Sequence, residues 1–130
     1  RQIYIMAEYL TVALGSAIGG TLRFWLSNFV YEFFPPTFPY GTLSVNVIGS
    51  FLIGLIMFGL DDRGMISHEI RLFLTVGICG GFTTFSTFSL ETVNLLKNSE
   101  YTMALINIGV SIALCLAATF AAWILTAQRG

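Results

Sequence analysis

Charged residues are scarce along this chain of 130 residues. Only 10% are Asp, Glu, Lys or Arg, whereas soluble domains average about 25%. The formal net charge is -1 and no basic run occurs, which argues against a nucleic-acid partner. The helices of a soluble bundle would carry polar stripes, and the long segments described below are apolar nearly all round.

Cysteine and histidine are equally sparse, and their placement fits no catalytic or metal motif. Cys79 and Cys115 fall in different hydrophobic segments without metal-ligand spacing, and His68 has no second ligand nearby. No nucleophile–base pair stands out, so the sequence disfavours an enzyme. The first apolar segment lacks a cleavage-type end, which argues against a signal peptide, and Met6 leaves open whether residues 1–5 are native.

Long hydrophobic runs, by contrast, dominate the chain. Hydrophobic residues make up 55% of it and the mean hydropathy is +0.80. A membrane-spanning helix needs about 20 mostly apolar residues, and four segments meet this requirement. The sequence therefore predicts an all-α membrane protein, with residues 1–130 forming a single four-helix transmembrane domain. The expected helices cover about 10–30, 43–60, 70–96 and 103–127.

Glycine and the few prolines indicate how these helices pack and connect. Gly15 and Gly19 have the spacing that lets two membrane helices approach closely. All three prolines lie between residues 35 and 39, which predicts a rigid connection between the first two helices.

The distribution of cations gives only a weak preference for one orientation. Four spans place both termini and the loop between helices two and three on one side. The cations on that side are Arg63, Arg71, Arg129 and, if native, Arg1, against Lys97 and Arg23 on the other. A weak positive-inside bias permits insertion both ways, and so permits an antiparallel dimer of one sequence.

One polar run interrupts the third hydrophobic segment, from Gly80 to Glu91. Unpaired polar groups cost several kcal/mol in hydrocarbon, so such a run is tolerated only where it is buried or lines a wet cavity. Gly80-Gly81 is expected to break or kink the helix there, and the third helix is predicted to be broken near Gly80–Thr83. A break frees carbonyl oxygens, which suit a hard cation such as sodium. The run thus predicts a path or site for a small polar species.

Residues around this run have both a functional and an ordinary interpretation. One face of the third helix carries Phe85, Phe88 and Glu91. The positive edges of the two phenyl rings can attract an anion. The spacing of the two rings alone, however, favours simple packing. Glu91 can pair with Arg23, bond to threonines or carry a proton. Asn46 in helix two is a candidate donor or interhelical glue, and the same choice holds for Asn107 and Ser111 in helix four. Thr87 adjoins the face that carries the two rings.

Three motifs resemble the bacterial Fluc/CrcB fluoride channels, and the resemblance covers essentially the whole chain. The motifs are Gly41-Thr-Leu-x-Val-Asn46-x-x-Gly-x-Phe, Gly80-Gly-Phe-Thr-Thr-Phe-Ser-Thr-Phe-Ser-x-Glu91 and Gly19-x-x-x-Arg23. The second is very specific, whereas helix four matches more loosely. Cys115 stands where some members continue with a hydroxyl.

The resemblance implies a dual-topology antiparallel homodimer in the bacterial cytoplasmic membrane, with two narrow pores for passive, selective fluoride export that protects the cell. It implies a structural sodium ion on the dimer axis, held by the backbone carbonyls of Gly80 and Thr83. It further implies that fluoride meets the ring edges of Phe85 and Phe88 and the amide of Asn46. The remaining implied pathway residues are Thr87, Asn107 and Ser111, with Glu91 near one pore end and Arg23 by the vestibule.

The main alternative is a small multidrug-type transporter, which is also a four-helix dual-topology dimer. Such a cation–proton exchanger would carry its essential carboxylate in helix one. This chain has Arg23 in helix one and its intramembrane carboxylate, Glu91, in helix three, so the channel is favoured. A non-conducting anchoring protein is a third class, against which the ordered polar and aromatic run argues.

Overall fold

The computed structural model describes residues 2–127, and within this range the chain is helical with no strand. Two π-helical stretches, Leu55–Asp61 and Leu72–Cys79, continue or join the α-helices. Arg1 and Arg129, which entered the comparison of cations, lie outside the described residues. The α-helices are α1 Gln2–Val30, α2 Tyr40–Gly54, α3 His68–Arg71, α4 Gly80–Phe82, α5 Phe85–Lys97 and α6 Tyr101–Ala127.

Four spans in the described part of the chain are long and apolar enough to cross a membrane, as predicted. They are Gln2–Val30, Tyr40–Asp61, His68–Lys97 and Tyr101–Ala127. The first helix begins at Gln2 rather than near residue 10, because hydropathy marks only the part that fits in lipid. At about 1.5 Å per residue its 29 residues exceed the roughly 30 Å hydrocarbon core. In these extra turns the Glu8 carboxylate contacts the His68 ring at 2.8 Å.

The two short connections use left-handed backbone to reverse the chain. Gly64 has φ +67° in the connection after the second span, and Ser99 has φ +62° in the connection before α6. Glycine adopts this conformation without steric cost. Ser99 takes it where the Glu100 amide bonds back to the Leu95 carbonyl at 2.8 Å.

The spans pack in two pairs. Gly15 of α1 lies against Gly77 in the first half of the third span, where a Cβ on Gly15 would come within 2.8 Å of the Gly77 Cα. The close packing predicted from Gly15 is therefore present. In the other pair α2 contacts α6, and the Thr119 hydroxyl donates to the Ser50 carbonyl at 2.8 Å. The middle of the third span lies beside both α1 and α2.

Candidate functional site

The third span is interrupted at Thr83 and Thr84. Thr83 has φ -90° and ψ 158°, and Thr84 has φ -152° and ψ 117°, so both are extended. The break predicted near Gly80–Thr83 is therefore present, but Gly80-Gly81 does not form it, because Gly80 has helical angles and begins α4. The break nevertheless falls within the polar run singled out from the sequence.

Gly81 serves close packing rather than the break. A Cβ at this position would lie 2.6 Å from the Ser16 carbonyl oxygen and 3.0 Å from the Ser16 Cα in α1. Only glycine lets α1 pass this closely. The propensity of glycine to end helices is thus overridden here by the neighbouring span.

Asn46 holds the break from the neighbouring helix α2. Its Nδ2 donates to the Thr84 carbonyl at 3.0 Å, and its Oδ1 accepts from the Thr84 amide at 2.8 Å. In an uninterrupted helix the Thr84 amide would bond the Gly80 carbonyl four residues earlier. Because Asn46 takes this donor, the Gly80 carbonyl is released.

Thr84 releases a second carbonyl in the same way. As the N-cap of α5, its Oγ1 accepts from the Thr87 amide at 3.2 Å. That amide would otherwise bond the Thr83 carbonyl. The two carbonyls expected to hold a cation, those of Gly80 and Thr83, are therefore freed by two separate side chains. Oxygen ligands of this kind suit a hard cation.

An open cavity of about 430 Å³ lies beside the break. It is bounded by both ends of the interruption, by α2 and by α6. Six of the residues proposed from the sequence line it: Asn46, Gly80, Thr83, Phe85, Phe88 and Ser111. Four other predicted residues do not line the cavity: Arg23, Thr87, Glu91 and Asn107. The Asn46 Nδ2 carries a second hydrogen that has no acceptor among the described residues, and Asn46 lines the cavity.

Phe85 and Phe88 form a tilted ring pair at the start of α5. Their centroids are 5.4 Å apart with 44° between the ring planes. Phe85 is 77% exposed in the single chain. Phe85 is therefore not packed into the core of the subunit, whereas Phe88 is partly buried, and both rings line the cavity.

Arg23 reaches the break from α1. Its Nε donates to the Gly81 carbonyl at 2.9 Å, in the middle of the third span. The guanidinium therefore caps the carbonyl end of α4, where cations are stabilised. Within the described residues Arg23 makes no ion pair with Glu91, so that alternative is not realised.

Two further predicted residues lie along α5. Thr87 belongs to the cap, where its hydroxyl accepts from the Thr84 hydroxyl at 3.0 Å. The Oε1 of Glu91 is buried and has no hydrogen-bond partner among the described residues. A buried carboxylate oxygen without a donor is costly, which is typical of a functional position in a membrane span.

The polar pair on α6 is connected to α5 through a residue that sequence reasoning missed. Ser111 donates to the Asn107 Oδ1 at 3.2 Å, and the Asn107 Nδ2 donates to the Thr92 hydroxyl at 2.9 Å. Asn107 is 1% exposed and lies behind the cavity wall. The available signal was the position of Thr92 one helical turn after Phe88, which does not reveal the partner on α6.

The four spans, the interruption of the third and the cavity beside it define a helical membrane protein with a polar break inside one span. Comparison with known proteins agrees. The sequence model of the family described as "CrcB-like protein, Camphor Resistance (CrcB)" matches residues 10–123. The chain belongs to this family.

Its relatives include proteins named fluoride-specific ion channel FluC. The one from Paramagnetospirillum magneticum is 50% identical over 117 residues, covering 88% of this chain and 91% of the relative. The one from Trichlorobacter lovleyi is 50% identical over 116 residues, covering 88% and 92%. The one from Methylocella silvestris is 46% identical over 115 residues, covering 87% and 88%.

Proposed function

We propose that this protein is a fluoride-selective channel of the bacterial cytoplasmic membrane, which exports fluoride passively and protects the cell from it. The observation that carries the proposal is the interrupted third span, which places Phe85 and Phe88 on a cavity beside freed backbone groups. Relatives nearly as long as this chain carry the name of such a channel.

The chemistry of the cavity suits a small, strongly hydrated anion. Such an ion gives up water only where hydrogen-bond donors replace it. The cavity offers the free amide hydrogen of Asn46, the positive ring edges of Phe85 and Phe88, and the amino-terminal end of α5. The guanidinium of Arg23 adds positive potential from its place at the break. None of these is a full charge inside the cavity, so the ion is held weakly enough to leave.

We propose further that two subunits associate in opposite orientations. The cavity and Gly80 are open on one side of the single subunit, and irregular backbone in a membrane must be covered by protein or water. A second copy supplies that cover and brings two exposed Phe85 rings to the interface. The small difference in cations between the two ends permits both orientations.

We propose sodium as the ion bound at the break. The carbonyls of Gly80 and Thr83, freed by Asn46 and Thr84, would hold it, and a second subunit would double the number of oxygens. In this position sodium would fix the break and stabilise the interface.

The multidrug-type transporter is the weaker alternative. It requires an intramembrane carboxylate that binds cations and protons from the first helix, where this chain offers Arg23 bonded to backbone. Membership of a family whose curated relatives are named fluoride channels favours conduction of an anion.

The deciding experiment is fluoride efflux from liposomes that contain the purified protein, with valinomycin to clamp the membrane potential and chloride in a parallel assay. Rapid fluoride efflux without chloride efflux is expected, and protein-free liposomes provide the control. If protein shown to be folded and dimeric releases no fluoride, the channel assignment fails and cation–proton exchange becomes the next assay.

A further inference from the structure

A buried chain of hydrogen bonds joins the backbone of α5 to the cavity wall on α6. The Thr92 hydroxyl donates to the Phe88 carbonyl at 2.7 Å, Asn107 Nδ2 donates to the Thr92 oxygen at 2.9 Å, and Ser111 donates to Asn107 Oδ1 at 3.2 Å. Thr92 and Ser111 are 7% exposed and Asn107 is 1% exposed. The chain begins next to the ring pair and ends at Ser111, which lines the cavity.

The Phe88 carbonyl sets the donor and acceptor of each of these three hydrogen bonds. The Phe88 carbonyl can only accept, so the Thr92 hydrogen must point toward it. The Thr92 oxygen can then only accept, which requires the Asn107 NH₂ group to face it. The Asn107 oxygen consequently faces Ser111, and Ser111 must donate to it.

This direction has a consequence for the cavity. The only hydroxyl hydrogen of Ser111 is committed to Asn107 Oδ1, so the Ser111 oxygen presents lone pairs toward the cavity. Lone pairs repel an anion. If Ser111 alone turned its hydrogen to an ion, the buried Asn107 oxygen would lose its donor, which is unfavourable.

Reversal of both hydrogen bonds of the Asn107 side chain avoids this loss. When the Asn107 amide turns over, the Thr92 hydroxyl donates to Oδ1, Nδ2 donates to Ser111 and the Ser111 hydrogen becomes free for an ion in the cavity. The Phe88 carbonyl gives up its side-chain donor. It lies within helix α5, where the backbone amide four residues later still bonds to it.

We propose that Thr92, Asn107 and Ser111 form a reversible hydrogen-bond relay, in which Thr92 is a positioning residue that lets Ser111 switch from acceptor to donor when fluoride enters. The inference rests on the proposed fluoride function. Thr92 touches no ion itself. It supplies the acceptor in one direction of the relay and the donor in the other.

The test compares fluoride efflux through Thr92→Val, which keeps the shape but removes the hydroxyl, and Thr92→Ser, which keeps the hydroxyl. We expect Thr92→Val to lower the flux about tenfold, roughly the loss of one hydrogen bond, and Thr92→Ser to stay within about twofold of wild type. Thr21→Val is the matched control, because Thr21 makes the same bond to a carbonyl four residues earlier on an exposed face.

A double substitution separates positioning from simple structural support. In a Ser111→Ala background no hydroxyl is left to turn, so adding Thr92→Val is expected to change the flux by less than about twofold. An equal tenfold loss in both backgrounds, or wild-type flux through Thr92→Val, would overturn the relay. Absence of fluoride flux through the wild-type protein would instead overturn the proposed function, so the two failures are distinguishable.

A measurement on the unsubstituted protein covers the case in which Thr92→Val does not fold. The ¹⁵N-labelled side-chain amide of Asn107, assigned by its loss in Asn107→Ser, is followed by NMR during titration with fluoride and with chloride. The relay requires the Asn107 signal to shift with fluoride and not with chloride. An unmoved signal in a protein that conducts fluoride contradicts the relay.

Discussion

The side-chain amide of Asn46 pairs with both backbone groups of Thr84, at 3.0 Å and 2.8 Å. The two bonds imitate one rung of a β-ladder and connect positions 38 residues apart in the chain. They hold the third span open at a point where it would otherwise continue as a helix. The interruption is therefore a tertiary feature, imposed by α2.

Replacing Asn46 by Leu should destabilise the protein because both Thr84 groups lose their partner. We expect a loss of about 1–3 kcal/mol, which corresponds to two hydrogen bonds at about 0.5–1.5 kcal/mol each. Thermal unfolding in detergent measures it. Asn94→Leu provides the control, because Asn94 is exposed on α5. Equal melting temperatures for the two variants would mean that the interruption does not depend on Asn46.

The number of spans and the polar run were predictable from the sequence, because both are properties of composition within one segment. The close approach at Gly15 was predictable for the same reason, since small residues one turn apart allow few other arrangements in lipid. The early start of α1 was not predicted, because Gln2 and Glu8 lower the hydropathy of its first turns without preventing a helix.

The cause of the interruption and the role of Thr92 were beyond sequence reasoning for a different reason. Glycine propensity pointed to Gly80-Gly81, whereas the outcome depends on which acceptor wins the Thr84 amide. Likewise, the bond from Asn107 to Thr92 depends on the rotational setting of α5 against α6. Contacts between distant segments decide both, and no local pattern records them.

The contact of α1 with the third span should not tolerate a methyl group. Gly15→Ala places its Cβ within 2.6 Å of the Phe73 carbonyl oxygen and 2.8 Å of the Gly77 Cα, so two backbones must separate. We expect a loss of stability of about 1–3 kcal/mol, as for other overpacked sites. Thermal unfolding in detergent detects this loss.

Gly109→Ala is the matched control, because a Cβ on Gly109 meets no atom of residues 2–127 within 4 Å. Alanine also favours the helix over glycine by up to about 1 kcal/mol. The control should therefore melt at the same temperature or higher. A stable Gly15→Ala variant would show that the two spans do not lie this close.

The ring pair should govern fluoride flux without governing assembly. Phe85→Ile and Phe88→Ile keep an apolar side chain but remove the positive ring edge. We expect each to lower fluoride efflux about tenfold or more, the effect of losing a contact of about 1.4 kcal/mol, while the dimer persists in size-exclusion chromatography. Phe120→Ile changes an exposed phenylalanine on α6 and should leave the flux unaltered. Wild-type flux in both ring variants would refute the ring-edge role.

Removal of sodium should weaken the dimer or the flux, since the proposed ion is coordinated by the carbonyls freed at the break. Replacement of sodium by a large organic cation tests this directly, with efflux and dimer dissociation as readouts. Indifference of both readouts to sodium would count against the site.

Thr84→Val tests whether the Thr83 carbonyl binds sodium, and it leaves the proposed ligand oxygens of Gly80 and Thr83 in place. Valine offers no oxygen to the Thr87 amide, which then turns to the Thr83 carbonyl and competes with the ion. The sodium concentration needed for half-maximal dimerisation should rise about tenfold, which corresponds to one competing hydrogen bond. Thr11→Val removes a hydroxyl that donates to the Ala7 carbonyl on an exposed face, and it should leave this sodium concentration unchanged. An unchanged requirement in Thr84→Val, in a protein that still needs sodium, would place the ion away from the Thr83 carbonyl, because only that carbonyl gains a donor in the variant.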